Sequence, residues 1–400
     1  MKTKLNYFSR LSLLFAMMFI IAACGDKADV KKATTGLQSL MEQSGTVGLA
    51  VAVVRDNEII YTASFGRKSI EDNTPLKDGD IFRIASISKS FTTTTLLHLL
   101  EEGKISLDDD AGDIVGFPIR NPKFPDIPIT VRMLLSHISS LNDSRGYGNL
   151  NLINPSVNDN WARSYNDYAP GTKYQYANLG FNTLGAIVEK VSGTRFDLLV
   201  KQVVIDPLGL NAGFNPDNLD RNLFATLYLP DSTVKTAEGW PTFKPQPAAY
   251  QSRSEQIDTG YMMGYSAPLF SPTGGMKISA RDLARYMIMH MNYGIDPSTG
   301  TRILKEETSR LMQTDVVEVD EDNIYCMALK HTTDLIPGVR MTGHTGSAHG
   351  LKSAMFFEPE RKFGFVMMTN GITHEYGRTV NGYTRIQGEV IRLLYDVFIK

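Results

Sequence analysis

Strand-like segments lie near both ends of this sequence, and their distribution constrains the fold more than any other feature. A continuous apolar run at 47–54 is typical of a buried strand, and a polar turn followed by a second strand at 59–64 completes a hairpin. The last quarter of the chain contains further strand-like segments at 324–330, 338–342, 350–357 and 363–370. We therefore expect an α+β fold with one antiparallel sheet built from both chain ends.

The residues between these segments predict helices and loops. Apolar residues at helical spacing predict helices at 30–43, 91–102, 130–137, 178–191, 279–291 and 387–399. The stretch from roughly 105 to 275 is loop-rich, with closely spaced prolines in its first part. We interpret this stretch as a mostly helical insertion between the two groups of strands.

The N-terminus has the pattern of an export signal. Its first ten residues carry three positive charges, and the apolar segment that follows, at 11–23, is too short to cross a bilayer. The residues around Cys24 resemble the lipobox of bacterial lipoproteins. We therefore predict a lipoprotein signal peptide at 1–23, a lipidated tether at 24–32 and a folded domain at 33–400. A plain secretory signal with an incidental Cys24 is the alternative.

On this interpretation the protein is a lipoprotein of the cell envelope, bound to a membrane through its lipid and exposed on the periplasmic or extracellular side. The chain contains two cysteines, so lipidation of Cys24 leaves Cys326 without a disulfide partner. We expect Cys326 to be a small buried apolar residue. The formal net charge of -2 and the lack of basic runs argue against a nucleic-acid partner.

The first candidate catalytic motif is Ser86-Ile87-Ser88-Lys89. Residues three apart lie on one face of a helix, so the Lys89 amine can reach the Ser86 hydroxyl. A hydroxyl becomes a good nucleophile when a neighbouring base takes its proton. If Ser86 opens the helix, its backbone N–H also contributes to an oxyanion site. The motif is short enough to occur by chance, so its interpretation depends on the segments that accompany it.

The second candidate motif is Tyr176-Ala177-Asn178, directly before a predicted helix. The phenol of Tyr176 is a possible proton relay, because a nearby lysine favours its anion. Asn178 can bond both Lys89 and a substrate carbonyl. Alternatively, the two side chains only pack and cap the helix. Ser164-Tyr165-Asn166 is a competing motif, but no predicted helix follows it.

The third candidate motif is Gly343-His344-Thr345-Gly346-Ser347, placed between two predicted strands. Small residues on an edge strand allow a substrate backbone to pair with it, and the N–H of Ser347 can complete an oxyanion hole with that of Ser86. His344 is a possible cation for a substrate carboxylate, or simply a turn histidine. His344 and His349 lack a third ligand nearby, so we expect no metal site.

Taken in this order, the three motifs resemble those of the serine β-lactamase and penicillin-binding-protein superfamily. The similarity covers roughly residues 30–400 and implies the β-lactamase/transpeptidase-like fold. It implies that Ser86 is acylated, that Lys89 and Tyr176 move its proton, and that Asn178 contacts the substrate carbonyl. It also implies that the segment at 344–346 lines the edge strand of the site. No metal or organic cofactor is expected.

Two departures from the superfamily pattern bear on the substrate. Ile138-Ser139-Ser140-Leu141 replaces the usual Thr-Ser-Gly-Leu, and His344 replaces the lysine of class C β-lactamases. His-Thr-Gly is typical of D-alanyl-D-alanine carboxypeptidases and D-stereospecific peptidases in this superfamily. The resemblance therefore implies a serine hydrolase acting on D-amino-acid-containing peptides. A β-lactamase, a carboxylesterase and a penicillin-binding sensor without turnover are the alternatives, so the small-molecule partner is a peptide or a β-lactam-like compound.

Overall fold

The computed structural model describes residues 26–235, 241–380 and 382–400. The predicted signal peptide and Cys24 lie outside these ranges. The helices are α1 Lys27–Ser44, α2 Ser88–Glu101, α3 Ala111–Val115, α4 Val131–Leu135, α5 Asn178–Ser192, α6 Phe196–Val200, α7 Ser254–Gly260, α8 Ala280–Met291, α9 Glu306–Met312, α10 His374–Gly377 and α11 Arg385–Phe398. None of these described helices combines the length and the apolar content that crossing a membrane requires.

The strands form one large sheet and several small ones. They are β1 Gly48–Arg55, β2 Glu58–Ser69, β3 Thr74–Pro75, β4 Phe82–Arg83, β5 Ala212–Gly213, β6 Tyr228–Lys235, β7 Pro241–Pro245, β8 Lys277–Ile278, β9 Val317–Asp320, β10 Asn323–Tyr325, β11 Lys330–Ile336, β12 Val339–Ala348, β13 Leu351–Glu358, β14 Phe363–Thr369, β15 Thr379–Val380 and β16 Tyr383–Thr384. The large sheet has the order β3-β2-β1-β14-β13-β12-β11-β10-β9, and its neighbouring strands are antiparallel.

The two chain ends meet at the centre of this sheet. β1 pairs with β14 in a register that places Val51 opposite Met367, and both side chains are buried. These strands are apolar on both faces because helices cover both sides of the sheet. On one side α1 and α11 pack on each other, and on the other side α8 crosses β1, β13 and β14. The predicted α+β sheet built from both ends is therefore confirmed.

Three predicted segments differ from the structure in their extent or their secondary structure. Residues 27–32, assigned to the tether, form the start of α1, where Val30 is buried against the sheet. The segment 324–330 is a hairpin rather than one strand, since its apolar turn residues are buried and Ala328 adopts a left-handed φ of 62°. The insertion at 105–275 contains α3 to α7, but also short 3-10 turns and the β6–β7 ribbon, so it is less helical than expected.

The insertion positions the site through two of its contacts with the rest of the chain. α5 packs along α2, which carries the first motif near its start. The small strand β8 pairs with β4, and thereby fixes the chain just before the first motif. The candidate site consequently lies where the sheet, α2 and the insertion meet.

Candidate active site

Ser86 lies in a tight turn between β4 and α2. The turn is a short 3-10 helix, Ala85–Ile87, and the α-helix begins two residues after Ser86, so Ser86 precedes α2 instead of opening it. Ala85 has a φ of 52°, a left-handed conformation that costs a non-glycine residue about 1–2 kcal/mol. The Ser88 hydroxyl stabilises the turn by donating to the Ala85 carbonyl at 2.6 Å. The result is a partly exposed Ser86 at the start of a helical segment, where backbone N–H groups lack intrahelical acceptors.

The Lys89 amine contacts the Ser86 hydroxyl and two further oxygens. Its Nζ lies 3.1 Å from Ser86 Oγ, 2.9 Å from Asn178 Oδ1 and 2.9 Å from the Thr273 carbonyl. The Lys89 side chain has no exposed surface, and burial lowers its pKa well below the usual value. In this arrangement the amine donates to all three oxygens. In its neutral form it keeps two N–H groups for the Asn178 and Thr273 oxygens, and its lone pair can accept the Ser86 proton. The predicted first motif is thus assembled with the geometry of a general base.

Asn178 is held in place by Asp143, which sequence analysis missed. Asp143 accepts hydrogen bonds from the backbone N–H and the side-chain amide of Asn178, at 2.9 and 2.8 Å, and from the N–H of Leu179 at 3.0 Å. It therefore caps the N-terminus of α5 and turns the Asn178 carbonyl oxygen toward Lys89. The negative charge of Asp143 also opposes the fall in the Lys89 pKa.

Tyr176 covers Lys89 with its ring, whose centroid is 4.7 Å from the amine. The phenol is near enough to Ser86 for a hydrogen bond to stabilise its anion, but burial outweighs this contact and raises the pKa of Tyr176 above 10. The phenolate that we expected beside the lysine is therefore disfavoured. Burial therefore shifts both side chains toward their neutral forms, the amine of Lys89 and the protonated phenol of Tyr176.

His137 is a second residue that sequence analysis missed, although it ends the predicted helix at 130–137. Its ring is buried, lies 4.2 Å from the Tyr176 ring and accepts the Ala177 N–H through Nδ1 at 3.2 Å. Burial lowers the pKa of His137 well below 6.5, so this acceptor stays unprotonated. His137 therefore holds the backbone of the second motif in place through its contact with Ala177.

Thr273 is the third missed residue. Besides its carbonyl contact with Lys89, its hydroxyl donates to Asn178 Oδ1 at 2.6 Å. The only signal in the sequence was a Pro-Thr-Gly-Gly stretch at 272–275, which indicates a turn but not its partner. The competing Tyr165 lies elsewhere, packed edge-on against Trp161.

Sequence analysis placed the third motif between two predicted strands, but in the structure it lies within a single strand, β12. β12 continues through 344–348, because β13 pairs with these residues, including Ser347 with Lys352. Among the described residues, β11 pairs with β12 only as far as Gly343, so the other edge of this half is open. The expected edge strand is thus present.

Gly346 allows β12 to touch the Ser86 turn. A Cβ at this position would lie 2.3 Å from the Ile84 carbonyl oxygen and 2.3 Å from Ser353 Oγ, both impossibly close. Ser353 in turn donates to the Ile84 carbonyl at 2.9 Å. This contact places Ser347, the residue with the predicted oxyanion N–H, next to the turn that carries Ser86.

Sequence analysis offered two roles for His344, a cation and a turn histidine, and the structure favours neither, because the residue lies within β12 and its ring is buried. Burial is the main cause that lowers its pKa to about 3, and the nearby Lys89 adds to the shift. Its Nδ1 lies 2.5 Å from the Thr345 carbonyl, which makes Nδ1 the protonated nitrogen, and Nε2 lies 3.4 Å from the Tyr325 hydroxyl. Hence His344 is a buried, neutral residue of β12 and supplies no charge to a substrate carboxylate.

His349 and Cys326, the other two candidates from the sequence, lie outside the Ser86–Lys89 cluster and contact different residues. His349 lies 3.0 Å from Arg83 Nη1, and burial lowers its pKa, so it accepts from the guanidinium. Cys326 is fully buried, and burial raises its pKa to about 12, as expected of an unreactive thiol. Its sulfur lies close to His331 and Asp315, but Arg340 already binds both of these side chains.

The sequence matches the beta-lactamase family over residues 36–388. Penicillin-binding protein 4 of Amycolatopsis lactamdurans is 26% identical over 336 residues, which cover 81% of each chain. The D-alanyl-D-alanine-carboxypeptidase/endopeptidase AmpH of Escherichia coli (strain K12) is 27% identical over 173 residues, or 42% of this chain and 45% of AmpH. Several other relatives are also matched over about half of their own length.

A solved structure shows the same arrangement of the chain. The octameric penicillin-binding protein homologue from Pyrococcus abyssi superposes with a TM-score of 0.70 at 26% identity, covering 92% of this chain and 78% of the other. The resemblance inferred from the three motifs is confirmed, as is the β-lactamase/transpeptidase-like fold. The chain therefore belongs to the beta-lactamase family, in the serine hydrolase superfamily that also contains the penicillin-binding proteins.

Proposed function

We propose that this protein cleaves D-amino-acid-containing peptides through an acyl-enzyme on Ser86, in the manner of a D-Ala-D-Ala carboxypeptidase. One observation carries the proposal, namely a Lys89 amine without exposed surface that lies 3.1 Å from the hydroxyl of a partly exposed serine. Desolvation favours the neutral amine, and a neutral amine at this distance is a competent general base.

The proposed reaction has two halves. In the first, Ser86 Oγ bonds to the scissile carbonyl carbon while its proton passes to Lys89, and the carbon–nitrogen bond then breaks as the leaving amine takes up a proton. In the second, a water molecule attacks the ester, gives a proton back through Lys89 to Ser86 and releases the carboxylic acid. Asn178 donates from its amide toward Asp143, so its carbonyl oxygen remains the partner of Lys89 throughout.

In this mechanism Tyr176 acts as a proton donor and not as a base. Its raised pKa keeps the phenol protonated, and its contact with Ser86 places that proton near the leaving group. We assign Tyr176 the role of a relay between Lys89 and the leaving amine. The N–H groups of Ser86 and Ser347 are our proposed oxyanion donors, since Gly346 brings their two segments together.

The substrate class rests on the third motif and on the relatives. His-Thr-Gly is the D-peptidase form of the motif, and the matches include a penicillin-binding protein and a D-alanyl-D-alanine-carboxypeptidase/endopeptidase. An open strand edge at 344–348 suits an extended peptide, which pairs its backbone with the strand. β-Lactam and ester turnover are the other outcomes of the test.

The test is intact-mass spectrometry and product analysis with a D-Ala-D-Ala peptide, a chromogenic cephalosporin and a nitrophenyl ester. We expect peptide hydrolysis and a covalent adduct that Ser86→Ala abolishes. Lys89→Met is expected to abolish acylation, whereas Lys277→Met is its control, because Lys277 is also buried with a strongly lowered pKa but bonds the Phe214 carbonyl. Ester or cephalosporin turnover with an untouched peptide contradicts the peptidase, and a stable adduct without product indicates a sensor.

We also propose export and lipid anchoring at Cys24, supported by the lipobox-like segment. The experiment is labelling of expressing cells with a fatty-acid probe, followed by fractionation. The wild-type protein should carry the label and sediment with membranes, whereas Cys24→Ala should lose the label. An unlabelled wild-type protein would contradict the anchor.

A further inference from the structure

The neutral His344 leaves the third motif without a positive charge, and the nearest lysine on the adjoining strand is Lys352. This residue is the cross-strand partner of Ser347, and its amine donates to the Ser347 hydroxyl at 2.7 Å. Ser347 is exposed, and it directly follows the glycine that touches the Ser86 turn. A cation is therefore bound to the edge strand one residue beyond its contact with the proposed nucleophile.

Lys352 lines a cavity of about 440 Å3 at the end of the sheet where β12 turns into β13. The cavity is lined by the β12–β13 turn at 347–350, by Leu229 and Pro230 of β6, and by the segment at 372–378. Two basic side chains of that segment, His374 and Arg378, face the same space as Lys352. The cavity thus continues the open edge of β12 and is bordered by basic groups from two separate parts of the chain.

Within the part of the chain that the structure describes, no carboxylate lines this cavity. Among the described residues, neither Lys352 nor Arg378 takes part in an ion pair, and the neighbouring Glu375 is paired with Arg385 instead. Burial lowers the pKa of Lys352, and no described carboxylate opposes that shift. A partly buried cation without a counter-charge is costly unless a ligand supplies one.

We propose that Lys352, together with Arg378, forms a carboxylate-binding subsite of the hydrolase, and that the preferred substrates carry a carboxylate that reaches this cavity. This inference rests on the proposed peptidase function. An extended peptide on the open edge of β12 directs successive side chains to opposite faces of the sheet. One face leads to Lys89 and Tyr176, and the other carries Ser347 and Lys352, so a carboxylate near the scissile bond can reach the subsite.

The test uses two matched pairs of peptides. One pair has Glu or Gln before a terminal D-Ala-D-Ala, and the other ends in D-Ala-D-Ala acid or in its carboxamide. We expect wild-type enzyme to favour the acid member of at least one pair in kcat/KM by about tenfold, the worth of one charge-assisted hydrogen bond. Lys352→Met should bring that ratio toward one, and the affected pair identifies the source of the carboxylate.

The control is Lys362→Met, a partly buried lysine in the turn at the other end of β13 that bonds the Met291 carbonyl. This variant should keep the wild-type ratio of kcat/KM between the acid and the amide member of each peptide pair. If Lys352→Met does not fold, as judged by its melting transition, Arg378→Gln at an exposed position provides the same comparison and should reduce the ratio.

Three results would overturn the subsite, and the first two leave the proposed function standing. Equal hydrolysis of both members of both pairs by wild-type enzyme, or a ratio that both variants retain, contradicts the subsite while the peptidase stands. If no peptide is cleaved although an ester acylates Ser86, the peptidase function fails and the subsite fails with it.

Discussion

The backbone of His137 and its imidazole both hold the segment that carries Tyr176. The His137 carbonyl accepts the N–H of Gln175 at 2.8 Å, and its Nδ1 accepts the N–H of Ala177 at 3.2 Å. Both chain neighbours of Tyr176 are therefore bonded to one buried residue. His137 acts through this backbone and not on the substrate, which makes it a positioning residue.

Replacing His137 tests this role. His137→Phe leaves the Ala177 N–H without an acceptor, so we expect kcat to fall about 10- to 100-fold through misplacement of Tyr176. The free energy of unfolding should fall by about 1–3 kcal/mol. Steady-state kinetics and denaturant unfolding measure the two effects.

His137→Asn is the matched variant. Asparagine offers an oxygen near the position of Nδ1 and tolerates the φ of 57° at this residue. It should therefore retain more of kcat than His137→Phe does. Equal kcat for both variants would show that the acceptor atom has no role in positioning.

Asp143 provides a second prediction, because its charge raises the pKa of Lys89. Asp143→Asn removes this charge, so the Lys89 amine becomes neutral at lower pH. In the proposed mechanism the acylation rate requires the neutral amine, so it rises with pH through this pKa. We expect the rising limb to move to lower pH by about one unit. The measurement is the pH dependence of single-turnover acylation.

Asp167→Asn is the control for Asp143→Asn, since Asp167 is an exposed carboxylate paired with the exposed Lys123. Its pH profile should match that of the wild type. A limb that stays in place in Asp143→Asn would mean that Lys89 is not the group that titrates.

The architecture was predictable where the local pattern and the tertiary environment agree. The run at 47–54 is apolar at every position because helices cover both sides of β1, and this pattern is visible in the sequence. The residue pattern ended this strand at 342, and its continuation through 344–346 was expected only from the resemblance, since the glycine and polar residues there match a contact with the Ser86 turn and not a core. The turn at Ala328 was hidden by its apolar, buried residues.

The site was predictable in its motifs but not in its electrostatics. Ser86 and Lys89 are three residues apart, so their contact follows from helical spacing. Asp143 is 35 residues from Asn178, and no local pattern indicates that pairing. The charge of His344 depends on burial, which the sequence does not record, and its pKa of about 3 argues against the cationic role that the sequence left open.

Gly346 gives a third prediction, because any side chain there meets the Ile84 carbonyl and Ser353. We expect Gly346→Ala to push β12 away from the Ser86 turn, to destabilise the protein by about 1–3 kcal/mol and to reduce acylation strongly. Gly148→Ala is the control, since a Cβ at Gly148 meets no atom within 4 Å. Thermal unfolding and acylation rates are the measurements, and wild-type values for Gly346→Ala would exclude a tight contact at this glycine.

His290 gives a prediction on stability against pH. Its ring is buried in α8 near Tyr286, neither ring nitrogen has a partner among the described residues, and burial lowers its pKa to about 3. The unfolded chain takes up a proton at His290 below pH 6.5, whereas the folded protein does so only near pH 3. The unfolded state therefore binds more protons in this interval, and folding stability falls as the pH decreases through it.

His290→Leu should remove this acid sensitivity. Relative to wild type, the variant should gain about 2 kcal/mol of unfolding free energy between pH 7 and pH 5, because the unfolded chain no longer gains from protonation. Leucine also removes two unpaired polar atoms and suits a helix. Urea unfolding at the two pH values measures the gain, with His98→Leu at a partly exposed position of α2 as control. If the stability difference between His290→Leu and wild type is the same at both pH values, then His290 is not buried in its neutral form.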